Sequence, residues 1–415
     1  MELKNNQYYI DNIKLRDLCK QYGTPLYVYD GNKIETQFNK LVKAFEGVPF
    51  KVKYACKANT NINILKLLKN LGCGQDAVSI NDVKIGLRVG FQSQEIMYTP
   101  NMVGMDEIHE AVKLGVHINI DSISILKQFG EYYGNKVPVC IRINPHILAG
   151  GNYKISTGHI NSKFGISIAR INEVHDIIAS TGLKVEGLHF HNGSDIQDAD
   201  AFIQGLDIML GEALSFTDSY YKHLEYIDFG GGFKVAYRDE DKAVDIEEIG
   251  RKTVEKFQSF CKEFGRQLTL CCEPGKFIVS EAGILLGTTE VVKQTGNTVF
   301  AGINTGLNHL IRPMMYDAYH KIINISNPGG DAQTYTVVGN ICETDTFGKD
   351  RQLAEVREGD ILGILNAGAY GFSMSSQYNS RFRPAEALVY KSKAHLIRKR
   401  EVFEDLLRNQ VEVEL

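Results

Sequence analysis

The sequence predicts a (β/α)8 barrel of the TIM type followed by a β-sandwich or β-barrel domain. Three observations carry this. From about residue 50, eight short β-rich runs alternate with stretches of helical spacing. Polar residues recur at the C-terminal ends of these runs, where barrel sites are built. After about residue 282 the alternation stops, and strands follow one another across Gly, Pro, Asn and Asp turns.

The eight runs are KVKYACKA (51–58), GQDAVS (74–79), EIMYTP (95–100), HINIDS (117–122), VPVCIRINP (137–145), LKVEGLHFH (183–191), LEYIDFGGG (224–232) and LTLCCEPGK (268–276). Between them, NINILKLLKNLG, GMDEIHEAVKLG, INEVHDIIASTG and VEKFQSFCKEFG space their apolar residues three and four apart and close on glycine. A doubly wound open sheet is the alternative, but it usually has fewer strands. The strand-end polar residues are Lys57, Asp76 with Ser79, Asn101, Asp121, Arg142 with Asn144, His189 with His191, the Gly230–Gly232 run, and Glu273. Beyond them, TVFAGINTG, TYTVVGNICE, DILGILNAGAY and EALVYKSKAHLIR read as strands, and VFEDLLRNQ as a closing helix. PLYVYD (25–30) is strand-like and precedes the barrel, so it can join the β domain. The expected division is a barrel over 31–282 and a β domain from 1–30 plus 283–415.

Composition narrows the function. At 415 residues the chain can bury a large core without disulfide or metal staples. Lys plus Arg number 46 against 50 Asp plus Glu, a net charge of −4, which gives neither a nucleic-acid footprint nor a polybasic membrane anchor. No apolar run of about 18 residues occurs, and the N-terminal MELKNNQYYIDN has no signal-peptide core. Eight cysteines are scattered without a CxxC pair, which suits a cytoplasmic protein with reduced thiols.

Several residues could carry chemistry. Lys57 in YACKAN suits a Schiff-base lysine, whose amine reacts when desolvation lowers its pKa. A lysine snorkelling to the surface is the plain alternative. IDFGGGFKVAY sets three glycines where backbone N–H groups can approach an anion, although a tight βα turn reads equally well. His189 and His191, two apart, point to one face of a strand. They suit a metal pair or a ring stacked on a flat cofactor. No third ligand stands at a telling spacing, so no metal is expected. Ser194, just beyond, can donate to a phosphate. In CCEPGK, Glu273 could pair with a protonated ring nitrogen or could be a solvated strand-end acid. Gly231, Gly232 and Gly275 fall in the loops after the seventh and eighth strands, a common barrel phosphate site. In the β half, Cys342 stands beside acids in NICETDTF, Arg312 offers a planar fork for a carboxylate, and Tyr378 offers a hydroxyl. A buried inert thiol is the alternative for Cys342.

Taken in order, YACKAN, GLHFHNGSD, GGGF, EPGK, LIRPMMYDAYH, CETDTF and GAYGFSMSSQYNSR resemble the diaminopimelate decarboxylase family from about Pro25 to the end. The resemblance implies a barrel of the alanine-racemase-like fold that binds pyridoxal 5′-phosphate (PLP). It implies decarboxylation of meso-2,6-diaminopimelate to L-lysine and CO2, the last step of lysine biosynthesis. Lys57 would carry the cofactor, His191 would stack on its ring, and Asp76 would sit near the lysine. Glu273 would pair with the ring nitrogen. Ser194, Gly231, Gly232, Pro274, Gly275, Lys276 and Tyr378 would hold the phosphate and neighbouring atoms. Cys342 would be the proton donor. Arg312, Tyr316, Glu343, Tyr378 and Lys276 would bind substrate. A homodimer with shared sites is implied, Cys342 and Glu343 coming from the second subunit. Three runs depart from the family pattern: EPGK for EPGR, HNGSD for HIGSQ, and SINDV for SGGE. A decarboxylase of ornithine, lysine or arginine is the rival reading, but those substrates lack a distal carboxylate for Arg312. A non-catalytic PLP carrier would not need the β half.

Overall fold

The computed structural model describes residues 1–147, 160–193, 195–196 and 199–415. The chain forms two compact units, one of 37–235 with 242–277 and one of 1–36, 236–241 and 278–415.

The first unit is a closed barrel of eight parallel strands. They are β1 (Phe50–Ala55), β2 (Gly74–Ala77), β3 (Ile96–Tyr98), β4 (His117–Ile120), β5 (Val139–Asn144), β6 (Val185–Phe190), β7 (Tyr226–Asp228) and β8 (Thr269–Cys272). Each pairs with the next, and β8 pairs with β1, so no edge remains. Every strand is shorter than its β-rich run, although Asp76, Arg142, Asn144 and His189 stay within the strands. Local chemistry fixes the helix starts. Ser79, a strand-end polar residue in the sequence, caps the helix Ile80–Val89 by accepting from Asp82 N–H, and Gly90 closes that helix at φ 101°. Asp245 caps Ile246–Phe264 through Glu247 and Glu248 N–H, with Gly265 closing it at φ 82°.

Below the polar ends, Met97, Cys140, Tyr226 and Cys271 form a buried cluster drawn from β3, β5, β7 and β8. This resembles the side-chain layers that fill such barrels. Tyr226 lies across from Gly187 in register, and a Cβ at Gly187 would meet its ring at 2.3 Å.

In the second unit, Leu26–Asp30 lies between Gly283–Thr295, antiparallel, and Ala385–Tyr390, parallel. Alternation places Leu26 and Val28 in an apolar cluster with Ile284, Leu286, Ala387 and Val389. Tyr27 and Tyr29 stack on the opposite face with centroids 6.1 Å apart. Residues 236–241, inside the span the sequence assigns to the barrel, pack with this unit. Asn366 Nδ2 donates to Ala236 O at 2.7 Å, and Lys321 pairs with Asp239 at 2.7 Å.

Several strand readings change. DILGILNAGAY is strand only over Ile361–Ile364, and Thr346–Ala354 is a strand that the sequence pattern does not mark. TYTVVGNICE is not strand to its end: the strand is Ala332–Val338, and the chain then leaves the sheet. A Cβ at Gly339 would sit 1.9 Å from Asp345 Oδ2, so glycine is needed where the loop folds over that acid. EALVYKSKAHLIR is a hairpin, Ala385–Tyr390 with Lys393–Arg398, turning at Lys391 and Ser392, both at positive φ. Asp11 accepts from Ser392 N–H and supports that turn. Among the described residues no helix is long and apolar enough to cross a membrane.

Gly187→Ala should force the Tyr226 ring to move inside a packed barrel. The expected loss is about 1–3 kcal/mol, read as a lower urea midpoint at unchanged slope. A midpoint equal to wild type would show that the layer has slack.

Candidate active site

Around Lys57, the C-terminal end of the barrel gathers the carboxyls of Asp76, Asp228 and Glu273, the imidazoles of His189 and His191 and the guanidinium of Arg142. Lys57 sits on the 3-10 turn Cys56–Ala58 just past β1. Its Nζ lies 3.3 Å from Oδ2 of Asp76, whose side chain is fully buried near the end of β2. Burial, then the negative charge of Glu273, raises the Asp76 carboxyl to about 7, with Lys57 pulling the other way. Glu273 follows β8 directly. Its Oε2 lies 3.0 Å from His189 Nε2, and its Oε1 accepts from Thr99 Oγ1 at 3.3 Å. Asn119 Nδ2 donates in turn to Thr99. Burial alone would raise Glu273, but His189, Lys57 and Arg142 hold it at about 2. Asp228 is pushed well up by burial and by Glu273. Of the three buried acids, Glu273 keeps its charge most firmly.

His189 and His191 serve different ends. His189 is buried on β6 and bound to Glu273. His191 lies just past the strand, and its Nδ1 accepts from Gly231 N–H at 3.4 Å. Desolvation and the charges of Arg142 and Lys57 push His191 well below the usual imidazole value, so its ring is neutral. A Cβ at Gly232, at φ +94°, would lie 1.8 Å from Gly193 O, and one at Gly231 would lie 2.3 Å from Glu273 O. Only glycine fits this turn. Pro274 O accepts from Ala55 N–H at 3.1 Å, which seats the Glu-Pro-Gly turn on β1. Lys276 is buried and reaches Asp195 Oδ1 at 2.5 Å. Ser194 lies outside the described residues.

His189, Asp228 and Glu273 bring possible metal donors within 4.8 Å of one another. The pairing of His189 with Glu273 and the upward push on Asp228 make this a poor ligand set, since metals need deprotonated, available donors.

The β unit carries its own cluster. Cys342 is the exposed cysteine among eight, the other seven being buried. Asn379 Nδ2 donates to its Sγ at 3.0 Å, and Asn379 Oδ1 accepts from Cys342 N–H at 2.8 Å. Tyr378 Oη lies 3.6 Å from the same sulfur and donates to Glu343 Oε1 at 2.7 Å. The Asn379 and Tyr378 hydrogen bonds lower the Cys342 thiol from its ordinary value. Arg312 is buried at the start of the helix Arg312–Tyr316, and Tyr316 follows one turn later on the same side. Sequence reasoning passed over Asn379, Thr99, Tyr237 and His320. It noted Arg142 and His189 only as strand-end polar groups. An Asn one residue after Tyr378 gives no signal that it will meet a thiol 37 positions away.

These barrel residues fit PLP. Glu273 stays ionised, as a partner for a protonated ring nitrogen must. The buried atoms Asp76 Oδ1 and His189 Nδ1 have no hydrogen-bond partner among the described residues.

The depressed Glu273 also makes a pH prediction. A carboxyl held below 4.5 contributes stability that is present above that value and lost as pH falls toward about 2. His189→Ala should raise the Glu273 carboxyl and move its share of the acid transition to higher pH. Difference titration of stability for wild type and variant would show this, and superimposable acid limbs would refute it.

Residues 31–280 match the family described as pyridoxal-dependent decarboxylase, pyridoxal binding domain. The chain is 41% identical to the diaminopimelate decarboxylase of Methanothermobacter thermautotrophicus, over 95% of this chain and 93% of that one. It superimposes on the crystal structure of the M. jannaschii diaminopimelate decarboxylase with a TM-score of 0.91 at 32% identity, covering 99% of this chain and 98% of that one. The Helicobacter pylori enzyme, solved in complex with L-lysine, aligns with a TM-score of 0.85 at 33% identity, covering 95% and 98%. With its lysine, ionised glutamate and glycine turn at the end of a closed barrel, the chain belongs to the diaminopimelate decarboxylase family of pyridoxal-dependent decarboxylases.

Proposed function

We propose that this chain is a PLP-dependent carboxy-lyase that converts meso-2,6-diaminopimelate to L-lysine and CO2. The observation that carries the reading is the ionised Glu273 beside Lys57, in a chain related over nearly its full length to diaminopimelate decarboxylases. When bound, PLP supplies an electron-accepting ring for the electron pair left as CO2 departs. Lys57 would hold it through its amine. Asp76, raised to about 7, can take and return the proton that this amine sheds before acting as a nucleophile. Glu273 would keep the ring nitrogen protonated, and the flat neutral ring of His191 would stack on the cofactor. The glycine turn with Ser194, Pro274, Gly275 and Lys276 would hold the phosphate side.

Cys342 would deliver the proton to the substrate carbon. Arg312 and Tyr316 would bind the distal carboxylate and Glu343 the distal ammonium, with Tyr378 bridging thiol and acid. Exposure of the Cys342 cluster supports a homodimer in which one chain's thiol serves the other chain's lysine.

Purified protein with PLP should release CO2 from meso-diaminopimelate and form lysine. Lysine, ornithine and arginine, which lack a distal carboxylate, should turn over far more slowly. Equal kcat/KM for lysine and diaminopimelate would favour the broad basic amino-acid decarboxylase instead. Mixing inactive Lys57→Ala with inactive Cys342→Ala protein should restore part of the activity, since a mixed dimer regains one intact site. No recovery despite demonstrated subunit exchange would mean that each site is built within one chain.

A proton donor works only while protonated, so activity should fall as pH rises through the lowered Cys342 value. Asn379→Ala removes the largest lowering interaction. The alkaline limb of kcat should therefore move to higher pH; an unmoved limb would take Cys342 out of the titration.

A further inference from the structure

Arg312 is held in an unusual way for a buried cation. Buried guanidinium groups are normally stabilised by carboxylates. Elsewhere in this unit even the partly exposed Arg398 and Arg383 pair with carboxylates, Glu386 and Glu401. Arg312 has no carboxylate within ion-pair distance among the described residues, and its contacts are neutral. Its Nη2 donates to Tyr237 Oη at 3.1 Å, and its Nε donates to His320 Nε2 at 3.4 Å. The guanidinium carbon stands 5.5 Å from the centre of the Tyr237 ring, which meets the His320 ring edge-on at 5.4 Å.

The backbone fixes the state of His320. Its Nδ1 lies 2.8 Å from Leu365 O, which can only accept. Nδ1 therefore carries the proton, and Nε2 keeps the lone pair that Arg312 needs. Burial and the Arg312 charge hold His320 at about 3, so it stays neutral at working pH. Tyr237 lies in segment 236–241, which is tied to this unit by Asn366.

We infer that His320, with Tyr237, is a positioning residue that orients the Arg312 guanidinium without neutralising it, leaving its full charge and its Nη1 end for the distal carboxylate of the substrate. The inference rests on the reading of Arg312 as the carboxylate-binding group. Neutral partners suit carboxylate recognition, because a carboxylate partner would compete with the substrate, and an unpartnered side chain would pay rotamer entropy at each binding event.

Paired substitutions separate positioning from packing. In His320→Asn the shorter amide can still donate to Leu365 O but falls short of Arg312. In His320→Gln an amide oxygen can reach the place of Nε2 and accept from Arg312. His320→Asn should raise KM for meso-diaminopimelate roughly ten- to a hundredfold, the span for losing a hydrogen bond to a charged group, with kcat changed less than about threefold. His320→Gln should recover most of that loss. Tyr237→Phe, which keeps the ring and loses the hydroxyl, should raise KM in the same direction. Thermal midpoint and PLP absorbance should match wild type in all three. Arg312→Met serves as the reference. If it leaves KM unchanged, the reading of Arg312 fails and the inference falls with it. If it raises KM while His320→Asn and Tyr237→Phe bind substrate like wild type, only the inference is overturned. If His320→Asn and His320→Gln lose stability and cofactor alike, or His320→Asn does not fold and Tyr237→Phe keeps the wild-type KM, the role is structural and the inference is overturned.

Discussion

A buried carboxylate that stays charged is costly, and the barrel is organised around making that cost bearable at Glu273. His189 and Thr99 each occupy one of its oxygens, and Lys57 and Arg142 supply the balancing field. Asp76 and Asp228 then cannot both hold charge in the same space, and both are pushed toward the neutral acid. This division of states has chemical value. An ionised Glu273 can keep a ring nitrogen protonated, while an acid that titrates near neutrality can exchange a proton with Lys57.

The glycine turn answers a different constraint, since space rather than charge decides it. Gly231 and Gly232 lie so close to the carbonyls of Glu273 and Gly193 that no side chain is admitted. The same turn donates the Gly231 N–H that leaves His191 with its proton on Nε2. Backbone approach and imidazole state are thus one feature seen from two sides.

The β unit works by opposite rules. Its thiol is exposed and activated by hydrogen bonds from neighbours, with little contribution from burial. Its guanidinium is buried and held by neutral partners.

The sequence by itself determined the order of the barrel strands, the change of pattern near residue 282, and the positions of Lys57, Glu273 and the glycine turn. These are local facts: side-chain period, capping residues and glycine content act over a few positions. Ser79 as a cap and the Lys391–Ser392 turn were also local, but neither residue type singles out its role, and the turn lacks the usual Asn-Gly or Asp-Gly pair. The partners of the site were decided only by tertiary structure. Thr99 reaches Glu273 across 174 positions, His189 reaches it across 84, and Tyr237 reaches Arg312 across 75. A hydrogen bond depends on where the closed barrel and the folded sheet place two atoms, and no periodicity in the chain encodes that distance.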